Sequence, residues 1–101
     1  MKRRVTYRPE ALAELKEIAA YTRRTWGATQ AKRYTAALAT DIKALRTSAK
    51  RYPALDPVHP GLRRKRSAMH HIYYLTFADR VEIVRFIHVQ RDPGLHLKVQ
   101  L

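Results

Sequence analysis

Apolar positions recur along this chain with two periods, and the change from one to the other separates a helical first half from a strand-rich second half. Val5 and Tyr7 alternate with polar neighbours between Arg4 and Arg8, which predicts a short strand. Pro9 closes it and suits the first position of a helix, where its missing N–H is an orphan anyway. Leu12, Leu15, Ile18, Ala19 and Thr22 then recur at spacings of three and four, which predicts a helix up to Gly27. Glu10, Glu14 and Glu17 sit toward its start and Arg23 and Arg24 toward its end, complementing the macrodipole. Arg8, at the capping position, brings no side-chain acceptor. A second helix is written from Ala28 to about Lys50 by Ala31, Tyr34, Leu38, Ile42, Leu45 and Ala49. At about 1.5 Å per residue it would be roughly 35 Å long. The two helices should form an antiparallel hairpin, with Trp26 pinning it to the rest of the fold.

Residues 52–61, with Pro53, Pro57, Pro60 and Gly61, cannot continue a helix and read as an ordered loop. Beyond Leu62 the period becomes two. His71 to Phe77 and Val81 to Val89 are rich in Ile, Val, Tyr and Phe, and Asp79 and Arg80 form the turn of a β-hairpin between them. Arg63 to Arg66 forms a strand just before it, and Leu95, Leu97, Val99 and Leu101 alternate in a tail from Pro93 that reads as strand or coil. The expected architecture is α+β: an N-terminal strand, an antiparallel two-helix hairpin, then a three- to four-stranded antiparallel sheet with the helices on one face.

Composition narrows what such a fold can be for. With 101 residues, 46% of them hydrophobic, the chain supports one domain, residues 1–101, with a modest core and no cleft between lobes. Cysteine is absent, which excludes a disulfide framework, thiolate chemistry and Cys-ligated zinc. No apolar run is long enough to span a bilayer and no signal-like stretch opens the chain, so a cytoplasmic protein is expected. The formal net charge is +13, and it is spread: +4 over residues 1–8, +5 over 9–51 and +4 over 61–92. The excess therefore belongs to a folded surface, and an anionic partner is expected.

Candidate chemistry is sparse. Glu10, Glu14 and Glu17 share a helical face but read as a solvated first turn, not as acid–base machinery. His70, His71 and His88 are a weak metal set, because adjacent strand residues point to opposite faces. With three glycines there is no phosphate-cradling loop, so no metal or cofactor is expected. The densest charge is Arg63, Arg64, Lys65 and Arg66, with Arg85 and Arg91 in or after the last clear strand; such arginines grip phosphate or carboxylate bidentately. Tyr73, Tyr74 and Phe77, beside Ile72 and Leu75, read as core in preference to base-stacking residues.

Several strings resemble one family. Val5 to Ala11 (VTYRPEA), the Gly27 break, Gly61-Leu62-Arg63 before the sheet, His71 to Leu75 (HIYYL) and, most specifically, Val81 to Asp92 (VEIVRFIHVQRD) are similar to the ParE branch of the RelE/ParE toxins of bacterial type II toxin–antitoxin modules. The resemblance implies a compact toxin that inhibits DNA gyrase, stalls it with cleaved DNA, and meets nucleic acid through that target. It further implies a cognate ParD-like antitoxin that lays an extended segment and a helix across the sheet and the helix hairpin. On this reading Arg63, Arg64, Lys65, Arg66, Arg85 and Arg91 contact target or antitoxin, Asp92 pairs with a neighbouring arginine, and His88 is structural. RelE-like relatives instead cut mRNA on the ribosome, and here Arg63, Arg85, His88 and Arg91 would form that site. After Asp92 the chain lacks the Tyr, Glu or Asp that such chemistry uses, leaving His96 as the one candidate acid or base. A toxin-like fold serving as a binding module is the third reading.

Overall fold

The computed structural model describes residues 2–57 and 59–91. Asp92, His96 and the rest of the tail lie outside the described residues. The elements run β1 (Arg4–Tyr7), α1 (Pro9–Trp26), α2 (Ala28–Ser48), a 3-10 turn (Ala49–Arg51), β2 (Arg63–Ser67), β3 (His70–Thr76) and β4 (Arg80–His88).

Gly27 alone joins the two helices, at φ 92°, a value that side chains rarely adopt and glycine adopts freely. Each helix buries one stripe: Ala11, Ile18 and Thr22 on α1; Ala31, Leu38, Ile42 and Leu45 on α2. Burying a Leu or Ile contributes about 1.5–3 kcal/mol each, so α2 is held mainly through Leu38, Ile42 and Leu45. Thr22 tolerates burial because its hydroxyl donates to the Ile18 carbonyl at 2.7 Å. Two apolar residues leave the stripe: Leu12 is 43% exposed, and Trp26 is 68% exposed and pins nothing. Trp26 continues the spacing of Ile18 and Thr22, but α1 has by then run past the surface that would cover it.

The sheet has the order β1-β4-β3-β2. β2–β3 and β3–β4 are antiparallel, while β1 pairs with β4 in parallel, so the sheet is mixed and not wholly antiparallel. The reason is topological. β1 feeds the helix hairpin, and the returning chain lays down an antiparallel meander whose last strand, not its first, receives β1. In β3–β4, Tyr73 faces Arg85 and Tyr74 faces Ile83, which leaves Val84 as the extra residue of a bulge.

The helices cover one sheet face, where Ile72, Tyr74, Val81, Ile83 and Phe86 pack against Ile18, Leu38, Ile42 and Leu45. The Tyr74 hydroxyl donates to the Ala49 carbonyl at 2.6 Å and ties β3 to the end of the hairpin. The opposite face is not bare. Leu62, Tyr73, Val84 and Ile87 form a second buried cluster under Leu55 and Leu75, and the proline-rich loop supplies its roof. Tyr73 and Tyr74 are thus both core, on opposite faces, whereas Phe77 is 38% exposed at the hairpin turn, with the Arg80 guanidinium 3.9 Å above its ring.

Candidate functional site

Strand alternation splits the basic run into two pairs. Arg63 and Lys65 turn to the helix side. Arg63 donates to the carbonyls of Tyr52 (2.5 Å) and Lys50 (3.5 Å), and Lys65 sits 3.6 Å from Asp41 and over the Tyr52 ring. Ser67 continues that side and donates to the second Asp41 oxygen at 2.5 Å. These two cations anchor β2 to α2 and to the loop. Arg64 and Arg66 turn to the other face, where Arg64 lies 6.0 Å from the Tyr73 ring centroid and Arg66 donates to the Ala68 carbonyl at 2.8 Å. His71 shares their face. Burial, then Arg64 and Arg66, push its pKa below the ordinary histidine value.

Arg85 is engaged by an acid that its sequence position had assigned to solvent. β1 ends opposite Ile83, and the chain turns into α1, so the N–H of Phe86 has no strand partner on that side. Glu14 takes its place: one carboxylate oxygen accepts the Phe86 N–H at 2.9 Å, and the other accepts Arg85 Nε at 2.7 Å and Nη2 at 2.5 Å. Glu14 lies three residues after Ala11 and four before Ile18, inside the buried stripe. That spacing was the available signal. An acid in an apolar stripe must meet a donor or be neutralised. Asp41, beside Leu38, Ile42 and Leu45, carries the same signal and meets Lys65 and Ser67.

A cleft of about 610 Å³ opens between α1 and the end of β4, lined by Glu14, Glu17, Tyr21, His70, His88 and Arg91 among others. His70 and His88 are cross-strand partners with ring centroids 5.3 Å apart. The Tyr34 hydroxyl accepts the Met69 N–H at 3.2 Å and shares a hydrogen bond with His70 Nδ1 at 2.5 Å. The Gln90 N–H donates to His88 Nδ1 at 3.1 Å. Burial first, then the nearby His88, Arg91 and His71, lower the His70 pKa to about 4. The unfolded chain therefore binds more protons than the fold between pH 6.5 and 4, and stability should fall as pH drops through that window. Melting temperature measured from pH 7 to pH 5 is expected to drop less in His70→Gln than in the parent; equal slopes would remove His70 as the cause.

Of the residues proposed for RNA cleavage, the structure gathers His88 and Arg91 in this cleft. Arg85 is held by Glu14. Arg63 is opposite Tyr74, four residues along β3 from His70, about 13 Å away at 3.3 Å per residue. Among the described residues, no three His, Asp or Glu side chains are grouped to hold a metal ion, and no helix is long and apolar enough to cross a membrane.

A second groove, of about 520 Å³, runs between the helices and β1. Val5, Tyr7, Leu15, Ala19, Ala39 and Ile42 form its apolar floor, with Lys16, Lys43 and Arg46 beside them. β1 borders it as the outermost strand, with one edge unpaired.

A helix hairpin on a mixed four-stranded sheet, carrying a formal net charge of +13, defines a small, strongly basic α+β protein. Its family is specific. Residues 5–93 match the model of the ParE toxin of type II toxin–antitoxin systems, parDE, and the chain belongs to that family. It is 34% identical over 84 residues to "Toxin ParE" of Escherichia coli, covering 82% of each chain. It is 30% identical over 98 residues to "Toxin ParE1" of Mycobacterium tuberculosis, covering 96% of this chain and all of that one. Among solved structures, a chain of the chromosomal ParDE toxin–antitoxin system from P. aeruginosa superposes with a TM-score of 0.75 at 17% identity, covering 88% of this chain and 98% of that chain, a likeness of fold.

Proposed function

We propose that this ParE-family toxin acts in the cytoplasm on DNA gyrase and is held inactive by a ParD-like antitoxin. The family match over residues 5–93 carries the reading. Arg63, tied to the Tyr52 carbonyl and standing apart from the cleft that holds His88 and Arg91, favours it over mRNA cleavage. On this reading Arg66 and Arg91, both exposed, and the half-buried Arg64 are the members of the predicted arginine set that face a target. The antitoxin takes the groove between the helix hairpin and β1: its apolar floor fits the hydrophobic side of an amphipathic segment, and Lys16, Lys43 and Arg46 fit acids on that segment's rim.

Purified gyrase decides the target. Supercoiling should be lost and cleaved DNA should accumulate as the protein is added, while mRNA on translating ribosomes stays intact. Full gyrase activity at micromolar protein, with mRNA cut, would replace this reading by the ribonuclease one. Expression without antitoxin that leaves growth unaffected would instead leave a binding module.

A further inference from the structure

The tip of the helix hairpin combines features that neither the core nor the proposed target explains. Trp26 is 68% exposed, and Tyr21, five residues back on α1, is 56% exposed. From Glu17 to Asp41 the sequence contains no acid, yet Arg23, Arg24, Lys32 and Arg33 all fall in that interval, and all four are exposed. Arg24 reaches Glu17 at 3.3 Å. Among the described residues, Arg23, Lys32 and Arg33 make no ion pair. Lys32 and Arg33 stand in the second turn of α2. Gly27 is the whole connection between the helices, so the cations lie within about two helical turns of the tip.

The chemistry of the rim decides which partner fits. A lipid surface calls for aliphatic side chains around the indole. The residues flanking Trp26 in sequence are Thr25, Gly27, Ala28, Thr29 and Gln30, all exposed and small or polar, with the cations just beyond them. A single nucleic-acid strand needs a flat π-surface for a base and cations for the flanking phosphates, and it tolerates a polar rim. Duplex bases are already stacked and offer no free face. We propose that the hairpin tip is a docking surface for single-stranded nucleic acid, with Trp26 stacking on a base and Arg23, Lys32 and Arg33 neutralising phosphates.

The test needs no gyrase, so its failure is separable from failure of the target reading. Trp26 is the sole tryptophan, and its emission reports on the tip directly. The full chain would be titrated with dT12, with rU12 and with poly-glutamate of matched charge. Both oligonucleotides should quench Trp26, and whichever binds more tightly identifies DNA or RNA as the source. With about three phosphates neutralised, log affinity should fall with log salt at a slope of about −2. By anisotropy of labelled dT12, Trp26→Ala should weaken binding about tenfold, with Trp26→Phe retaining most of it. The double variant Lys32→Ser, Arg33→Ser should flatten the slope by about 1.4. All positions are exposed, and circular dichroism checks that the variants fold. Four results would each overturn the proposal: a buried, blue-shifted indole in the free chain, no quenching by either oligonucleotide, equal quenching by poly-glutamate, or unchanged dT12 binding by Trp26→Ala. The third of these would assign the tip to an acidic protein.

Discussion

Tyr73→Ala is expected to cost about 3–5 kcal/mol of folding stability, the range for truncating a large buried aromatic side chain. Tyr73 is fully buried on the sheet face away from the helices, between Leu62, Val84 and Ile87. That cluster is small, so it has few neighbours able to collapse into the space. At roughly 4–8 °C per kcal/mol for a domain of this size, the melting temperature should fall by on the order of 20 °C. Tyr73→Phe should be nearly neutral, because the hydroxyl meets Arg64 only at 3.5 Å. Urea titration of both variants is the measurement. A loss under 1 kcal/mol in Tyr73→Ala would mean that the loop roof does not close in solution, and that this face is available to a partner.

Glu14→Ala should be the second most damaging change, at about 2–4 kcal/mol. One carboxylate satisfies two unlike donors, the Arg85 guanidinium and the Phe86 N–H, and removing it leaves both without that acceptor. The Arg85 side chain is 13% exposed and that of Glu14 is 24% exposed. The cost is therefore set below the 3–5 kcal/mol of a fully buried pair. Glu14→Gln keeps a neutral acceptor at the sheet edge and should recover about half of the loss. A double-mutant cycle with Arg85→Ala separates the two donors: coupling near zero would place the whole effect on the strand edge.

Much of the architecture was legible because it is written locally. The period-3.6 stripes, Pro9, Gly27 and the proline-rich loop punctuate the helices and strands to within one or two residues, and the shift to period two marks the sheet. The direction of β1 was not legible: a four-residue strand carries no sign of which partner it meets across the length of the chain. Trp26 misled for a related reason. Its spacing puts it on the buried stripe, but spacing does not say where the covering surface stops. Charge was the least legible feature. Arg63, Lys65 and Arg85 read as a basic surface, yet each finds carbonyls or an acid at large sequence separation.

Sequence by itself determined the class of fold, the family and the +13 that any partner must meet. Those follow from local periodicity, recurrent strings and composition, none of which requires knowing what lies beside what. Tertiary structure alone decided which charges remain at the surface. Glu14 replaces a missing strand, Asp41 holds the basic strand, and the hairpin tip is left cationic and aromatic, because pairing depends on distance in space and not along the chain.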